Sequence, residues 1–190
     1  MNAFGHVISL LSFVYALAIT HVLLTVAAII RAWPRVKLSL PHALWLANAI
    51  IIVIANWISF YDMKDLPGWN MATIFFVFGI AFSNYLQAAL VSPEIVPGET
   101  IDLQAFHAQQ STRYIGAFLA SALIALVANV VLGAGLHVAE WNEQNLAVVP
   151  MVVIAIAAMA LRGRRAQIAL PVILMGVWVY YFANLQAALR

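Results

Sequence analysis

The chain has 190 residues, 65% of them hydrophobic and only 8% charged, with a mean hydropathy of +0.98. Soluble domains carry about 25% charge, so an ordinary soluble fold is excluded. The longest stretch between charge-free gaps is Glu94 to Arg113, which is too short for a catalytic domain outside a bilayer. A pI near 9.2 would suggest nucleic acid in a soluble protein. Here the nine Lys and Arg are spread over loops that face headgroups, so membrane lipids are the expected partner and nucleic acid is not. With no cysteine there is no disulfide framework and no thiolate metal site.

Charge-free gaps run over 1–30, 38–61, 66–93, 114–139, 144–161 and 166–189. About 20 mostly apolar residues span a bilayer. The gaps therefore predict an all-α, six-transmembrane-helix bundle in a single domain, 1–190, with spans at 5–32, 39–60, 70–91, 113–136, 145–161 and 167–189. The first apolar stretch precedes the first basic residue, Arg31, so it reads as a retained helix rather than a cleaved signal. A turn bearing Trp33, Arg35 and Lys37 follows, and then a second helix carrying Trp45, Asn48, Asn56, Trp57 and Ser59. Pro93 closes the third helix, and Pro97-Gly98 makes a turn. Thr100 then reads as the cap of a short interfacial helix, 100–112, which runs into helix four.

Arg31, Arg35, Lys37, Arg113, Arg162, Arg164 and Arg165 all fall in odd-numbered loops or at their edges, whereas the other side holds only Lys64 and Arg190. Basic residues are retained on the cytoplasmic side, which predicts both termini outside. Trp33 marks the inner boundary, and Trp57, Trp69 and Trp141 the outer one. Trp45 and Trp178 read as packing residues, and the Trp178 indole N–H needs a partner. Leu-Gln-Ala-Ala-Leu recurs at 86–90 and 185–189, the trace of a weak three-plus-three inverted repeat of the kind found in transporters.

No predicted span holds Asp, Glu, Lys or Arg in its interior, which argues against carboxylate-based proton coupling and against an enzyme. No catalytic residue, metal ligand set or cofactor is expected. The remaining candidates are neutral polar residues. At about 1.5 Å rise per residue, His21, Asn48 and Asn84 lie roughly 10 to 16 Å from the inner boundary, and Asn56, Asn129 and Asn184 roughly 24 to 26 Å. On helix two Trp45, Asn48, Asn56, Ser59 and Asp62 share about 100° of arc. On helix three Thr73, Ile80, Asn84 and Gln87 share about 60°. Such stripes either fix packing between helices or line a path for a small uncharged polar solute. His6 and His21 raise a weaker alternative, a b-haem anchor. His21, however, has no second histidine at its depth, since His42, His107 and His137 lie near boundaries. Another alternative is a non-catalytic scaffold that docks a partner through the 92–112 loop, with Leu103, Phe106 and His107 on its surface.

Leu17-Ala-Ile-Thr-His-Val-Leu-Leu24 leading to Arg31, the basic turn, the Trp-bearing second helix, Tyr85 through Pro93, and Ile101-Asp-Leu103 together resemble a set of small bacterial membrane proteins. The likeness covers roughly residues 8 to 120. It implies a bacterial inner membrane and nothing about reaction or ligand. His107 departs from it where an aromatic residue is expected, and Ser59 where a second tryptophan beside Trp57 is expected. Because 190 residues provide few helices to enclose a polar interior, a homo-oligomer is expected.

Overall fold

The structure, a computed structural model, describes residues 3–65, 69–96, 98–136 and 141–188, without side chains at 3, 61, 62, 65, 132–136, 141–144 and 184–188. Pro97, His137 and the side chains of Asp62, Trp141 and Asn184 thus lie outside the described residues, as does the side-chain pattern of the second Leu-Gln-Ala-Ala-Leu copy. Among the described residues six α-helices follow one another: α1 (Ala3–Arg31), α2 (Leu40–Ser59), α3 (Met71–Val91), α4 (Leu103–Leu136), α5 (Trp141–Ala160) and α6 (Arg164–Ala188).

Local chemistry sets where the helices begin. Ser39 accepts from the His42 backbone N–H at 3.4 Å, with Pro41 in the first turn of α2. Asn70 accepts from the Thr73 N–H at 2.9 Å. At α4 the cap is Asp102 rather than the expected Thr100, its carboxylate accepting from Ala105 N–H at 2.9 Å and Gln104 N–H at 3.1 Å. Losing such a cap costs about 1 kcal/mol. The expected short helix over 100–112, running into helix four, begins at Leu103 and is one helix with it. Residues 103–112 are the first turns of a continuous α4, because nothing in that stretch breaks the helical hydrogen bonding once Asp102 has capped it.

At that cap and the residue before it, the chain pairs with the first connection. Strand β1 (Val36–Lys37) runs parallel to β2 (Ile101–Asp102), and Lys37 Nζ meets Asp102 Oδ2 at 3.1 Å. Ile101 and Leu103 pack on Ile29 and Ala32 in a small second core. Gly98, at φ +92°, supplies the left-handed turn that brings the chain back to this ladder.

The helices pack as a ring in the order α1, α3, α4, α5, α6, α2, with α2 also touching α3 and α4 across the middle. In a three-plus-three repeat α4 would lie along α6 as α1 lies along α3. It packs instead on α3 and α5, so the packing lends the repeat no support. Arg162 reaching Ser111 and Thr112, together with the β1–β2 pair, gathers the basic connections at one end of the bundle. The terminal helices α1 and α6 begin and finish at the other end. Pro150 and Pro171 sit inside α5 and α6 without ending either helix.

Outward faces are strongly apolar: Phe13 and Phe75 are each 69% exposed, and Val179 70%. Five of the helices are long and apolar enough to cross a membrane, whereas the described apolar part of α5, Asn145–Ala160, is shorter. An apolar helical bundle with such faces is compatible with an integral membrane protein.

Candidate functional site

Polar side chains occur at three levels along the bundle core: α2, α4 and α6 supply those of the two outer levels, and α2 and α3 the amides of the middle one. Nearest the terminal end is a cavity of about 190 Å³, where Asn56, Ser59, Ser121, Asn129, Trp178 and Tyr181 interrupt an apolar lining. Asn129 Nδ2 donates to Asn145 Oδ1 at 2.9 Å, Asn56 Nδ2 to the Ile52 carbonyl at 3.0 Å, and the Ser59 and Tyr181 hydroxyls bond each other. Trp178 packs as expected, but its indole N–H finds no acceptor within the chain.

One to two turns deeper the cavity meets an aromatic floor. Trp45 is fully buried, with ring centroids 6.0 Å from Phe118 and 6.2 Å from Tyr114. Beside it lie Asn48, Asn84 and Gln87, all 0% exposed. Asn48 Nδ2 donates to the Leu44 carbonyl at 2.9 Å and to the Pro171 carbonyl at 3.2 Å, which ties α2 to α6. Its Oδ1 has no partner, and neither do the amide atoms of Asn84 and Gln87 nor Trp45 Nε1. The Tyr15 hydroxyl approaches Asn84 without forming a well-shaped hydrogen bond. Buried side-chain amides are normally satisfied, and each orphaned group costs about 1–3 kcal/mol. So dense a concentration in one place makes this level the candidate site.

Beyond the floor, at the basic end, Tyr114 bonds His107 Nδ1, and His107 Nε2 meets Gln167 Oε1 at 3.1 Å. Gln167 Nε2 is committed to the carbonyls of Ala158 and Leu161 at 2.7 and 2.6 Å. That commitment turns Oε1 toward His107 and assigns the His107 proton to Nε2, leaving Nδ1 to accept from Tyr114. His42 Nε2 donates to the Val91 carbonyl at 2.8 Å and its ring stands edge-on to Phe106.

The structure thus brings Asn48, Asn84 and Gln87 together at one level and places Asn56 and Asn129 on the cavity above. Other expected residues lie elsewhere. His21 is exposed on α1, beside Tyr85 at 6.4 Å between ring centroids, and does not enter the polar core. The helical phase puts it about 60° from Ala18 and about 120° from Tyr15, at the exposed margin of the buried stripe of α1. Leu103 and His107, expected on a docking surface, are only 2% and 8% exposed, and Phe106 is half-buried against His42. The cause is the β1–β2 ladder, which folds the loop onto the bundle. Among the described residues no group of three or more His, Asp or Glu could hold a metal ion. Sequence reasoning passed over Tyr15, Ser121, Gln167 and Tyr181. For Gln167 a signal existed, as the lone amide between a basic loop and an apolar run. Compared with protein families, curated proteins and solved structures, the chain matches none.

Proposed function

We propose that the protein is a multi-pass bacterial inner-membrane protein with both termini outside, and that its bundle is a closed conduit for a small uncharged polar solute. The observation that carries this reading is the level of orphaned amides at Asn48, Asn84 and Gln87, directly below a cavity large enough for a ligand. At about 190 Å³ the cavity exceeds the roughly 150 Å³ pocket known to admit benzene. Amide donors and acceptors without partners replace the hydration that a polar solute loses on entering the bundle. The solute is uncharged because no Asp, Glu, Lys or Arg lies in the span interiors to balance an ion. Trp45, Tyr114 and Phe118 form the gate that separates cavity from basic end. The polar column lies within a single chain, so an oligomer is not needed to enclose it.

The test is recovery of shrunken proteoliposomes in gradients of glycerol, urea and similar neutral solutes. Faster recovery than empty vesicles for at least one solute, lost in Asn84→Leu, is the expected result. Traces that match empty vesicles across the panel, both for the parent and for a gate-opened Trp45→Ala protein, refute the reading.

A further inference from the structure

At the basic end a second cavity, about 690 Å³, is lined by residues from three stretches: the start of α2, the first turns of α4, and the turn into α6. Part of its wall is packed and hydrogen-bonded within the chain. Ser39, His107, Ser111 and Gln167 are each more than nine-tenths buried, and His107 and Gln167 hold each other and the α5 terminus in place. The two charged residues of the lining, Arg162 and Arg164, are both cations.

Arg162 is clamped by neutral groups, Nη1 donating to Ser111 Oγ at 3.2 Å and Nη2 to Thr112 Oγ1 at 2.6 Å. The clamp orients the guanidinium and leaves its charge uncompensated, with further N–H donors free. Arg164 is exposed at the first position of α6. Among the described residues no carboxylate forms an ion pair with Arg162 or Arg164. A concave site holding two such cations, at the open N–H groups of a long helix, favours an anion. The guanidinium fork matches phosphate oxygens in particular. The rim narrows the choice, because Leu38 and Leu40 are apolar, more than half exposed and part of the same lining. A ligand that satisfies both halves has a phosphate at one end and hydrocarbon at the other.

We propose that this cavity seats the phosphate of an anionic phospholipid between Arg162 and Arg164, with the chain side of the lipid over Leu38 and Leu40. The site is distinct from the conduit, and binding is read without any flux, so the two ideas fail separately.

The experiment measures thermal stability of the purified full chain in detergent while phosphatidylglycerol, phosphatidylcholine or glycerol 3-phosphate is added. Phosphatidylglycerol is expected to raise the midpoint saturably. Phosphatidylcholine, whose choline cation would face the same arginines, is expected to do much less, and glycerol 3-phosphate little. Arg164→Gln carries the test because its side chain makes no internal bond whose loss would unfold the protein. It should raise the half-saturating phosphatidylglycerol concentration about tenfold, the worth of one charge-assisted hydrogen bond. Arg31→Gln, at the same end but outside the cavity, should leave it unchanged. Three results overturn the proposal: equal stabilisation by glycerol 3-phosphate, which assigns the cavity to a soluble phosphate; equal stabilisation by phosphatidylcholine; or the same loss in Arg31→Gln as in Arg164→Gln, which reduces the effect to general surface attraction.

Discussion

Asn84 is the side chain on which stability and the proposed function pull in opposite directions. Both of its amide atoms are buried without a well-formed partner, so the near-isosteric Asn84→Leu removes an unmet desolvation cost of about 1–3 kcal/mol. Its expected outcome is a higher thermal midpoint together with lost solute recovery in proteoliposomes. A merely structural asparagine gives the reverse, and Asn129 serves as that contrast. Asn129→Leu breaks the bond to Asn145 and is expected to lower stability by about 0.6–2 kcal/mol. Asp102 acts at the same scale through pH. The Ala105 backbone N–H, and after it Lys37, hold its carboxyl below the ordinary carboxylate range. A depressed folded value contributes stability above the unfolded pKa of about 3.9, and that stability is lost as pH falls through the lower folded value. Thermal midpoints measured from pH 7 down to pH 3 should therefore fall more steeply in the parent than in Asp102→Asn, which starts lower and stays flatter.

Among the elements, α2 and α4 meet at the aromatic floor, where Trp45 touches Tyr114 and Phe118. Replacing a buried tryptophan by alanine costs about 3–5 kcal/mol. Trp45→Ala is thus expected to destabilise the bundle while speeding solute recovery, because the hole it leaves joins the cavity above to the basic end below. Slower recovery, at a midpoint that still leaves the protein folded, would place the barrier elsewhere. The cap at α3 provides a control without functional content. Asn70→Ala removes the acceptor for Thr73 N–H and should cost about 1 kcal/mol, visible in the thermal midpoint and silent in flux.

At the scale of the whole molecule, the basic connections gather at one end of the bundle and the helices alternate in direction. If Lys and Arg are held on the cytoplasmic side, a cysteine placed at Gly5 should react with a membrane-impermeant reagent in intact cells. One placed at Gly163, which is open to solvent with no atom near its Cβ position, should react only after the cells are broken. Labelling at Gly163 alone would invert the molecule and put the two-arginine cavity on the outer face.

Helix content and the polarity of the loops were legible in the chain alone, because each depends on local quantities: runs of apolar residues, cap chemistry and charge spacing; the start of α4, at Leu103 against an expected span from 113, was not. The inward turn of Asn48, Asn84 and Gln87 was legible for a related reason, since a 3.6-residue period fixes which residues share a face. Which face meets which neighbour is not a local property. His21 shares the depth of Asn48 and Asn84 yet stands at the exposed margin of the packed face of α1, beside Tyr85, and only the packing of α1 on α3 decides that. Leu103 and His107 looked like an exposed, partly apolar surface until the pairing of residues 36–37 with 101–102 folded them inward. The cavity at the basic end draws on residues from 38 to 167, far apart in the chain. Arg162 therefore read as one loop charge among several until packing set it against Ser111 and Thr112.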